Sequence, residues 1–186
     1  ALVVVLPLGR CKLRITTSHL ESMDNAATRV SQLARIFAVL SEDDHGEGAS
    51  ILAGDMNFDD GSDEEAFARQ LGFQDCWRVL EHDDEGDGGC TMPFDDFSGK
   101  SSRIDRIFLI SAPEAPEADA GFRLVPSDMR IIGRTPLAVQ EGQLGTAVEA
   151  VQEKLPSTPS DHFGLVCDFA ITKSFLETSE AIPEEA

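Results

Sequence analysis

The sequence predicts an α/β domain in which helices cover a mixed β-sheet. Short runs rich in Val, Leu, Ile and Thr alternate along the chain with segments whose apolar residues recur at helical spacing. The chain also opens with two such runs separated by a short Gly-containing turn, which indicates an antiparallel pair inside the sheet. With 186 residues, 41% hydrophobic and 26% charged, the chain suits one globular domain or part of a larger one.

The N-terminal half predicts a hairpin followed by a helix, a strand and a second helix. Residues 2–8 and 13–17 are the β-rich runs of the hairpin. Apolar residues at helical spacing over residues 27–40 predict an amphipathic helix. Residues 50–54 then read as a buried strand, and residues 62–71 as a short helix that the following glycine ends.

The C-terminal half predicts more strands and one further helix. Residues 73–80 fit either a strand or a helix, whereas residues 103–110 and 163–172 are β-rich strands. Residues 123–132 are expected to be partly extended, and residues 143–155 carry an amphipathic helical pattern that a proline stops.

The strongly acidic composition weakens one class of function. Lys and Arg number 15 against 34 Asp and Glu, for a net charge of −19, so bulk charge should not hold a phosphate backbone. The acidic residues are concentrated in runs that are typical of solvated loops and ends. These runs are residues 42–47, 59–65, 81–87 and 177–185. A local site of opposite character therefore stays compatible with the composition.

Apolar runs and cysteine spacing bear on location. No apolar run is long enough to cross a bilayer, and no basic segment precedes residues 1–8, which are better interpreted as a strand than as a signal peptide. The cysteines show no metal-binding spacing and no disulfide framework. They are Cys11, Cys76, Cys90 and Cys167. We therefore expect a reducing compartment, the nucleus or the cytoplasm.

Polar clusters stand where predicted strands begin or end, which is where α/β folds place active sites. The clusters are residues 17–22, 54–57, 103–106 and 160–162. One such cluster alone is more often a turn or a structural hydrogen bond. Together they supply carboxylate, amide, imidazole and guanidinium groups, the set required to activate water against an anionic ester.

A calcium loop is an alternative reading of the second cluster. Asp55, Asn57 and Asp59 have the spacing that opens an EF-hand. However, the required glycine comes one position late, at Gly61, and Ala66 stands where a bidentate Glu is needed. The sequence therefore argues against a calcium site.

The four clusters, in this order, resemble the endonuclease/exonuclease/phosphatase superfamily, and within it the enzymes that hydrolyse 5′-phosphotyrosyl bonds. The segments that carry the resemblance read TSHLES, GDMN, RIDRIF and SDHFGL. The resemblance implies the C-terminal part of a four-layered α/β sandwich with central mixed β-sheets. Residues 1–172 would then be the C-terminal portion of the catalytic domain, with its N-terminal half absent, and residues 173–186 an acidic, disordered tail.

The resemblance also implies catalytic roles. Asp55 and Asn57 would position and deprotonate the attacking water. His162 would stabilise charge on the phosphate, while Asp105 would hold its ring by accepting an N–H hydrogen bond. His19 would be a second donor to a phosphate oxygen.

Metal and substrate contacts follow in the same way. Asp161 would lie beside Mg²⁺ and act through water, with Mn²⁺ as an alternative cation. The principal Glu ligand belongs to the family's N-terminal half, so we expect the isolated chain to be inactive. Ser22 is a candidate hydroxyl contact to phosphate, and Arg103 and Arg106 are candidate contacts to the DNA backbone, although an arginine among acids is more often a structural ion pair. Phe94 could stack on a base or simply fill a loop.

These roles imply a Mg²⁺-dependent phosphodiesterase acting in DNA repair on DNA 5′ ends that carry a tyrosyl adduct. One alternative is another hydrolase of the superfamily, such as an abasic-site endonuclease or a phosphatase of nucleotides, lipids or inositols. An alternative of another class is a non-catalytic module whose acidic surface binds a basic partner. No protein partner and no membrane contact is indicated.

Overall fold

A computed structural model of the chain describes residues 1–8, 11–41, 48–81, 88–93, 101–111, 122–134 and 160–173. In these ranges the strands are β1 (Leu2–Leu8), β2 (Cys11–Thr17), β3 (Gly48–Asp55), β4 (Gln74–Asp75), β5 (Asp105–Ser111), β6 (Phe122–Ile132) and β7 (Gly164–Lys173). The helices are α1 (Ala26–Ser41), α2 (Asp63–Gln70) and α3 (Cys76–Val79).

A mixed sheet of five strands, in the spatial order β1-β2-β3-β5-β4, forms the centre of the described fold. The predicted hairpin is confirmed, and β2 starts at Cys11 because Cys11 pairs directly with Leu8. Strands β2 and β3 run parallel and are connected through α1, whereas β5 is antiparallel to β3. This arrangement confirms the mixed α/β architecture that the sequence predicts.

One face of the sheet is covered by α1 and α2. Leu33, Ile36 and Leu40 lie at helical spacing on α1 and pack with Leu52 of β3 and Phe108 of β5. The second core forms on the opposite face, because side chains alternate along a strand. There Ile51 and Leu109, neighbours of the residues just named, contact Trp77 of α3.

A two-stranded antiparallel ribbon, β6 with β7, packs on this second face. Leu124 and Met129 of β6 complete the second core together with partly buried residues of β7. Among the described strands, β6 and β7 pair with each other and not with the five-stranded sheet. Side-chain packing, rather than a strand ladder, therefore joins β7 to the sheet.

The ambiguous segment 73–80 proves to be both alternatives, since it contains the short strand β4 and then the single turn α3. The helix predicted over residues 143–155 and the tail after residue 173 lie outside the described residues. The described part contains helices, the sheet and the ribbon, so the full count of four layers stays a prediction. None of the described helices combines the length and apolar character needed to span a membrane.

Candidate functional site

Four chain segments meet at one edge of the sheet. Strands β2 and β3 end there because they are parallel, and β5 begins there because it is antiparallel to β3. The chain leaves β2 through Ser18, whose N–H donates to the carbonyl oxygen of Ala53 at 3.2 Å. The segment that precedes β7 carries His162 to the same edge, where the ring contacts the first residue of β5.

Two carboxylates and one imidazole form the centre of this edge. Asp55, the last residue of β3, is the register partner of Asp105, the first residue of β5. Ligand atoms of Asp55, Asp105 and His162 all lie within 4.8 Å of one another, and each residue is partly buried. The structure thus brings together Asp55, Asp105 and His162, although the first and the last are 107 positions apart in the sequence.

Asp105 and His162 are joined by a direct hydrogen bond. Nδ1 of His162 lies 2.8 Å from Oδ2 of Asp105. Because an ionised carboxylate only accepts hydrogen bonds, the ring nitrogen donates here, and this directs Nε2 away from Asp105. The geometry agrees with the orienting role that the resemblance implies for Asp105.

The end of β3 has a conformation that fixes the position of Asp55. Gly54 has φ of 143°, and a Cβ there would collide with the carbonyl oxygen of Ser18. Only glycine allows β2 and β3 to approach this closely at the site. Next, Met56 donates its N–H to the carbonyl oxygen of Ile104 at 2.8 Å, which ties the turn to the start of β5.

Asn57 fixes the neighbouring segment. Its backbone lies in the left-handed region with φ of 53°, and its N–H donates to Oδ1 of Asp55 at 2.9 Å. Its side-chain Nδ2 donates to the carbonyl oxygen of Leu20 at 3.0 Å. The segment so held carries His19, whose Nε2 lies 3.7 Å from Oδ2 of Asp55. His19 is 70% exposed and lies at the open side of the site.

The electrostatics single out Asp55. Burial raises the pKa of its carboxyl, and the neighbouring Asp105 raises it further, although the Asn57 N–H and the two histidines partly oppose this. Two facing carboxylates leave an excess of negative charge that a cation would relieve. The carboxylate oxygens also suit a hard divalent cation such as Mg²⁺, so the donor set fits a metal at this edge.

Arg103 lies elsewhere, in a buried ion-pair network below the site. Its side chain is 3% exposed and hydrogen-bonds to Asp75 and Asp60. Arg106, which is fully buried, bonds to the same two carboxylates, both at 2.8 Å. This geometry favours the structural ion-pair alternative for Arg103. The position of Arg103 gives no support to the predicted contact with substrate.

The remaining predicted residues are placed less decisively. Asp161 is exposed and accepts a hydrogen bond from the Ser160 hydroxyl at 3.2 Å. In the described ranges it is not part of the three-residue group that could hold a metal. Ser22 is exposed in the segment between β2 and α1. Phe94 lies outside the described residues.

One residue at the site is absent from the sequence predictions. Thr91 is fully buried, and its hydroxyl oxygen accepts a hydrogen bond from the Asp105 N–H at 3.1 Å. Its carbonyl oxygen accepts another from the N–H of Phe163, the neighbour of His162. Thr91 belongs to a Gly-Gly-Cys-Thr loop without acidic or imidazole groups, so nothing local in the sequence marks it.

Comparisons with known proteins show the family of the chain. The model of the Endonuclease/Exonuclease/phosphatase family matches residues 5–162. Tyrosyl-DNA phosphodiesterase 2 of Danio rerio is 29% identical over 168 residues, which are 85% of this chain and 38% of that protein. The chain thus spans well under half the length of this relative.

Solved structures show the same fold. A crystal structure of D. rerio TDP2 complexed with single-strand DNA product matches with a TM-score of 0.60 and 27% identity, covering 90% of this chain and 60% of that one. Sphingomyelinase C of Streptomyces griseocarneus matches with a TM-score of 0.52 and 18% identity, over 89% of this chain and 56% of that one, a likeness of fold alone. Since the family model covers most of the sequence, the chain belongs to the endonuclease/exonuclease/phosphatase family.

Proposed function

We propose that the protein is a Mg²⁺-dependent phosphodiesterase that hydrolyses 5′-phosphotyrosyl bonds at DNA ends. The observation that carries the proposal is the convergence of Asp55, Asp105 and His162, from three separate segments, within 4.8 Å at one edge of the sheet. Family membership supports hydrolysis of a phosphate ester. The likeness to D. rerio tyrosyl-DNA phosphodiesterase 2 supports this choice of bond.

Asp55 is the general base in this mechanism. A base works best when its pKa lies near the working pH, and burial together with Asp105 raises the pKa of Asp55 in that direction. The Asn57 N–H holds one carboxylate oxygen, Oδ1, so the other, Oδ2, is the atom that accepts the proton of the attacking water. Asn57 also keeps the His19 segment against the site, and His19 donates to a phosphate oxygen.

His162 contacts the phosphate with the ring nitrogen that Asp105 does not hold. Its Nδ1 is bonded to Asp105, so Nε2 is the donor to a phosphate oxygen as negative charge develops there. Asp105 therefore orients the ring and does not itself touch the substrate. The two acids at the site therefore have different roles, since Asp55 is the base and Asp105 orients His162.

A bound Mg²⁺ would neutralise the charge that develops on the phosphate and the leaving oxygen. Asp105 would present a carboxylate oxygen to the cation, and Asp161 would contribute through bound water. The principal Glu ligand, which this chain does not supply, would complete the ligand set. Mn²⁺, which takes the same oxygen ligands, is the expected substitute for Mg²⁺.

The leaving group and the charge of this chain are both consistent with the proposed substrate. A tyrosyl phenolate leaves readily, so the reaction needs no acid beside the leaving oxygen. With a net charge of −19, the protein does not attract DNA over long distances, so recognition is local to the DNA end. Phe94 stacks on an end base and Ser22 contacts a phosphate in this proposal, and a DNA substrate implies nuclear or cytoplasmic residence.

The experiment compares the full-length wild-type protein with the His162→Ala variant on an oligonucleotide that carries a 5′-phosphotyrosyl group. Release of tyrosine should require Mg²⁺, stop with EDTA and return with Mn²⁺. His162→Ala should lower kcat by about 10²–10⁴-fold with a small change in KM, as expected for a group that acts in the transition state. Wild-type turnover by His162→Ala would contradict the assignment.

A panel of other substrates separates the alternatives. Abasic-site DNA, a nucleotide, an inositol phosphate and sphingomyelin are assayed under the same conditions. A higher kcat/KM on any of these than on the phosphotyrosyl oligonucleotide would replace the proposed substrate while keeping a hydrolase. If the protein hydrolyses neither the phosphotyrosyl oligonucleotide nor any of these four substrates, but binds a basic protein, the non-catalytic module is favoured.

A further inference from the structure

The hydrogen bond between Asp105 and His162 connects two parts of the fold that have no strand pairing between them in the described residues. Asp105 begins β5 in the five-stranded sheet, while His162 precedes β7 in the separate β6–β7 ribbon. Within the described residues, the two sheets share no paired strands. Some other contact must set the 2.8 Å distance between Nδ1 of His162 and Oδ2 of Asp105.

Thr91 makes contacts to both parts. Its Oγ1 accepts from the Asp105 N–H at 3.1 Å, and its carbonyl oxygen accepts from the Phe163 N–H at 2.6 Å. The first bond fixes the backbone of the residue that carries the carboxylate. The second fixes the backbone next to the residue that carries the imidazole. A single buried residue is therefore bonded to Asp105 itself and to Phe163, the neighbour of His162.

The loop that carries Thr91 is itself held firmly. Thr91 and Met92 both donate their N–H groups to the carbonyl oxygen of Ser102, at 3.1 and 2.9 Å, and Ser102 donates back to Met92. Gly89 packs so closely on Trp77 that a side chain there would collide with the indole ring. Because the loop is anchored to the core, Thr91 can impose a position on the two segments that it joins.

We propose that Thr91 is a positioning residue that sets the geometry of the Asp105–His162 pair. The hydroxyl is the specific part of this role, since Oγ1 is the acceptor for the buried Asp105 N–H. A buried N–H without an acceptor is costly, so loss of the hydroxyl shifts the start of β5 or exposes it to water. The kinetic part of the test rests on the proposed phosphodiesterase function, whereas its structural part does not.

The experiment uses Thr91→Val, which keeps the size and removes the hydroxyl, and Thr91→Ser, which keeps the hydroxyl, in the full-length protein. Thr16→Val is the matched control, because Thr16 of β2 is also a buried threonine but its hydroxyl has no hydrogen-bond partner in the described structure. Removing that hydroxyl leaves no partner unsatisfied. Each variant is compared with the wild type by kinetics, thermal unfolding and amide hydrogen exchange.

Thr91→Val should lower kcat by about 10- to 100-fold, the usual effect of losing a group that orients a catalytic side chain, with KM changed less than about threefold. Thr91→Ser and Thr16→Val should retain kcat within about threefold. Equal kcat in Thr91→Val and the wild type would overturn the proposal. So would a loss in Thr91→Ser as large as that in Thr91→Val, since the hydroxyl would then not be the operative group.

Amide hydrogen exchange, followed by NMR, tests the geometry without any assay of activity. The Asp105 amide should exchange slowly in the wild type, in Thr91→Ser and in Thr16→Val, and much faster in Thr91→Val. Fast exchange of this amide in the wild type would overturn the proposal even if Thr91→Val failed to fold. If the wild type hydrolyses no phosphotyrosyl substrate but shows this exchange pattern, the proposed function fails while the positioning role stands.

Discussion

Two clusters of acids lie close together in this protein and differ in how their charges are balanced. At the edge of the sheet, Asp55 faces Asp105, and the basic groups beside them among the described residues are the imidazoles of His19 and His162. One layer further in, Asp60 and Asp75 face the guanidinium groups of Arg103 and Arg106. The second cluster thus pairs its negative charges with groups that are always positive, and the first does not.

This difference is visible in the pKa directions of two aspartates. Burial raises the pKa of both carboxyls, and the pKa of Asp55 stays above its ordinary value. For Asp60, hydrogen bonds and charges from Arg103 and Arg106 overcome burial and hold the pKa below its ordinary value. Asp55 and Asp60 are both partly buried aspartates, so the groups around each one decide whether it can accept a proton or serves as a structural anion.

The largest expected effect comes from replacing one aspartate of each cluster by asparagine, which removes the charge and keeps the size of the side chain. Asp55→Asn should lower kcat by about 10²–10⁴-fold, because the general base is lost. At the same time it should raise the free energy of unfolding by about 0.5–2 kcal/mol in EDTA, since an unfavourable charge disappears. Steady-state kinetics and urea unfolding of the full-length protein measure the two quantities.

Asp60→Asn is the matched control and should behave in the opposite way. The protein should lose about 1 kcal/mol of stability, because Arg103 and Arg106 lose a charged partner that is itself 39% exposed to screening water. The change in kcat should stay within about threefold. A pair of variants that both lose activity, or both lose stability, would erase the distinction between the two clusters.

The next effect concerns the balance inside the buried network. Arg106→Met removes a guanidinium that is 0% exposed and leaves Asp75 with one arginine fewer, so we expect a loss of about 3–5 kcal/mol in urea unfolding. Arg78→Met is the control, because Arg78 is 38% exposed and pairs with Glu65 and Asp60 at the rim. Its loss should stay below about 1 kcal/mol. Equal losses would argue against burial as the decisive factor.

The smallest expected effect is on the pH dependence of stability, to which Asp60 and Asp55 should contribute with opposite signs. The ionised Asp60 stabilises the fold above its ordinary pKa of 3.8, and this contribution is lost as the pH falls through the lower folded pKa. The ionised Asp55 destabilises the fold at neutral pH, and this cost disappears as the pH falls through its raised folded pKa towards 3.8.

Urea unfolding from pH 7 down to about pH 3 checks both signs. The stability lost in Asp60→Asn should shrink only below about pH 4, whereas the stability gained in Asp55→Asn should already shrink above that pH. Parallel curves for the two variants would mean that the aspartates do not differ in the way that their neighbours indicate.

The sequence was sufficient to predict most elements near the site. The buried apolar run of β3 and the helical spacing of α1 are local features of the sequence, so both elements begin and end within two residues of the prediction. Residues 73–80 could not be assigned because a two-residue strand and a one-turn helix are too short to show a period. Their form depends on Asp75, which caps α3 and also pairs with Arg103.

The separate roles of the arginines also lie beyond the reach of local pattern. Arg103 and Asp105 stand two positions apart in the RIDRIF segment, yet one points into the ion-pair network and the other into the site. From the sequence, an arginine among acids is more often a structural ion pair, but a phosphate contact stays an open alternative. Only the position of Asp60 and Asp75, 43 and 28 residues away, decides between them.

The sequence alone determined which groups are available at the strand ends: carboxylates, an amide and imidazoles, in the order typical of one family. The tertiary structure decided which of them share an edge, which are neutralised by arginine, and that Thr91 joins the two segments carrying Asp105 and His162. The physical reason is the distance along the sequence over which each effect acts. Periodicity and residue type act between neighbours, whereas charge balance and hydrogen-bond geometry depend on groups that only folding brings into contact.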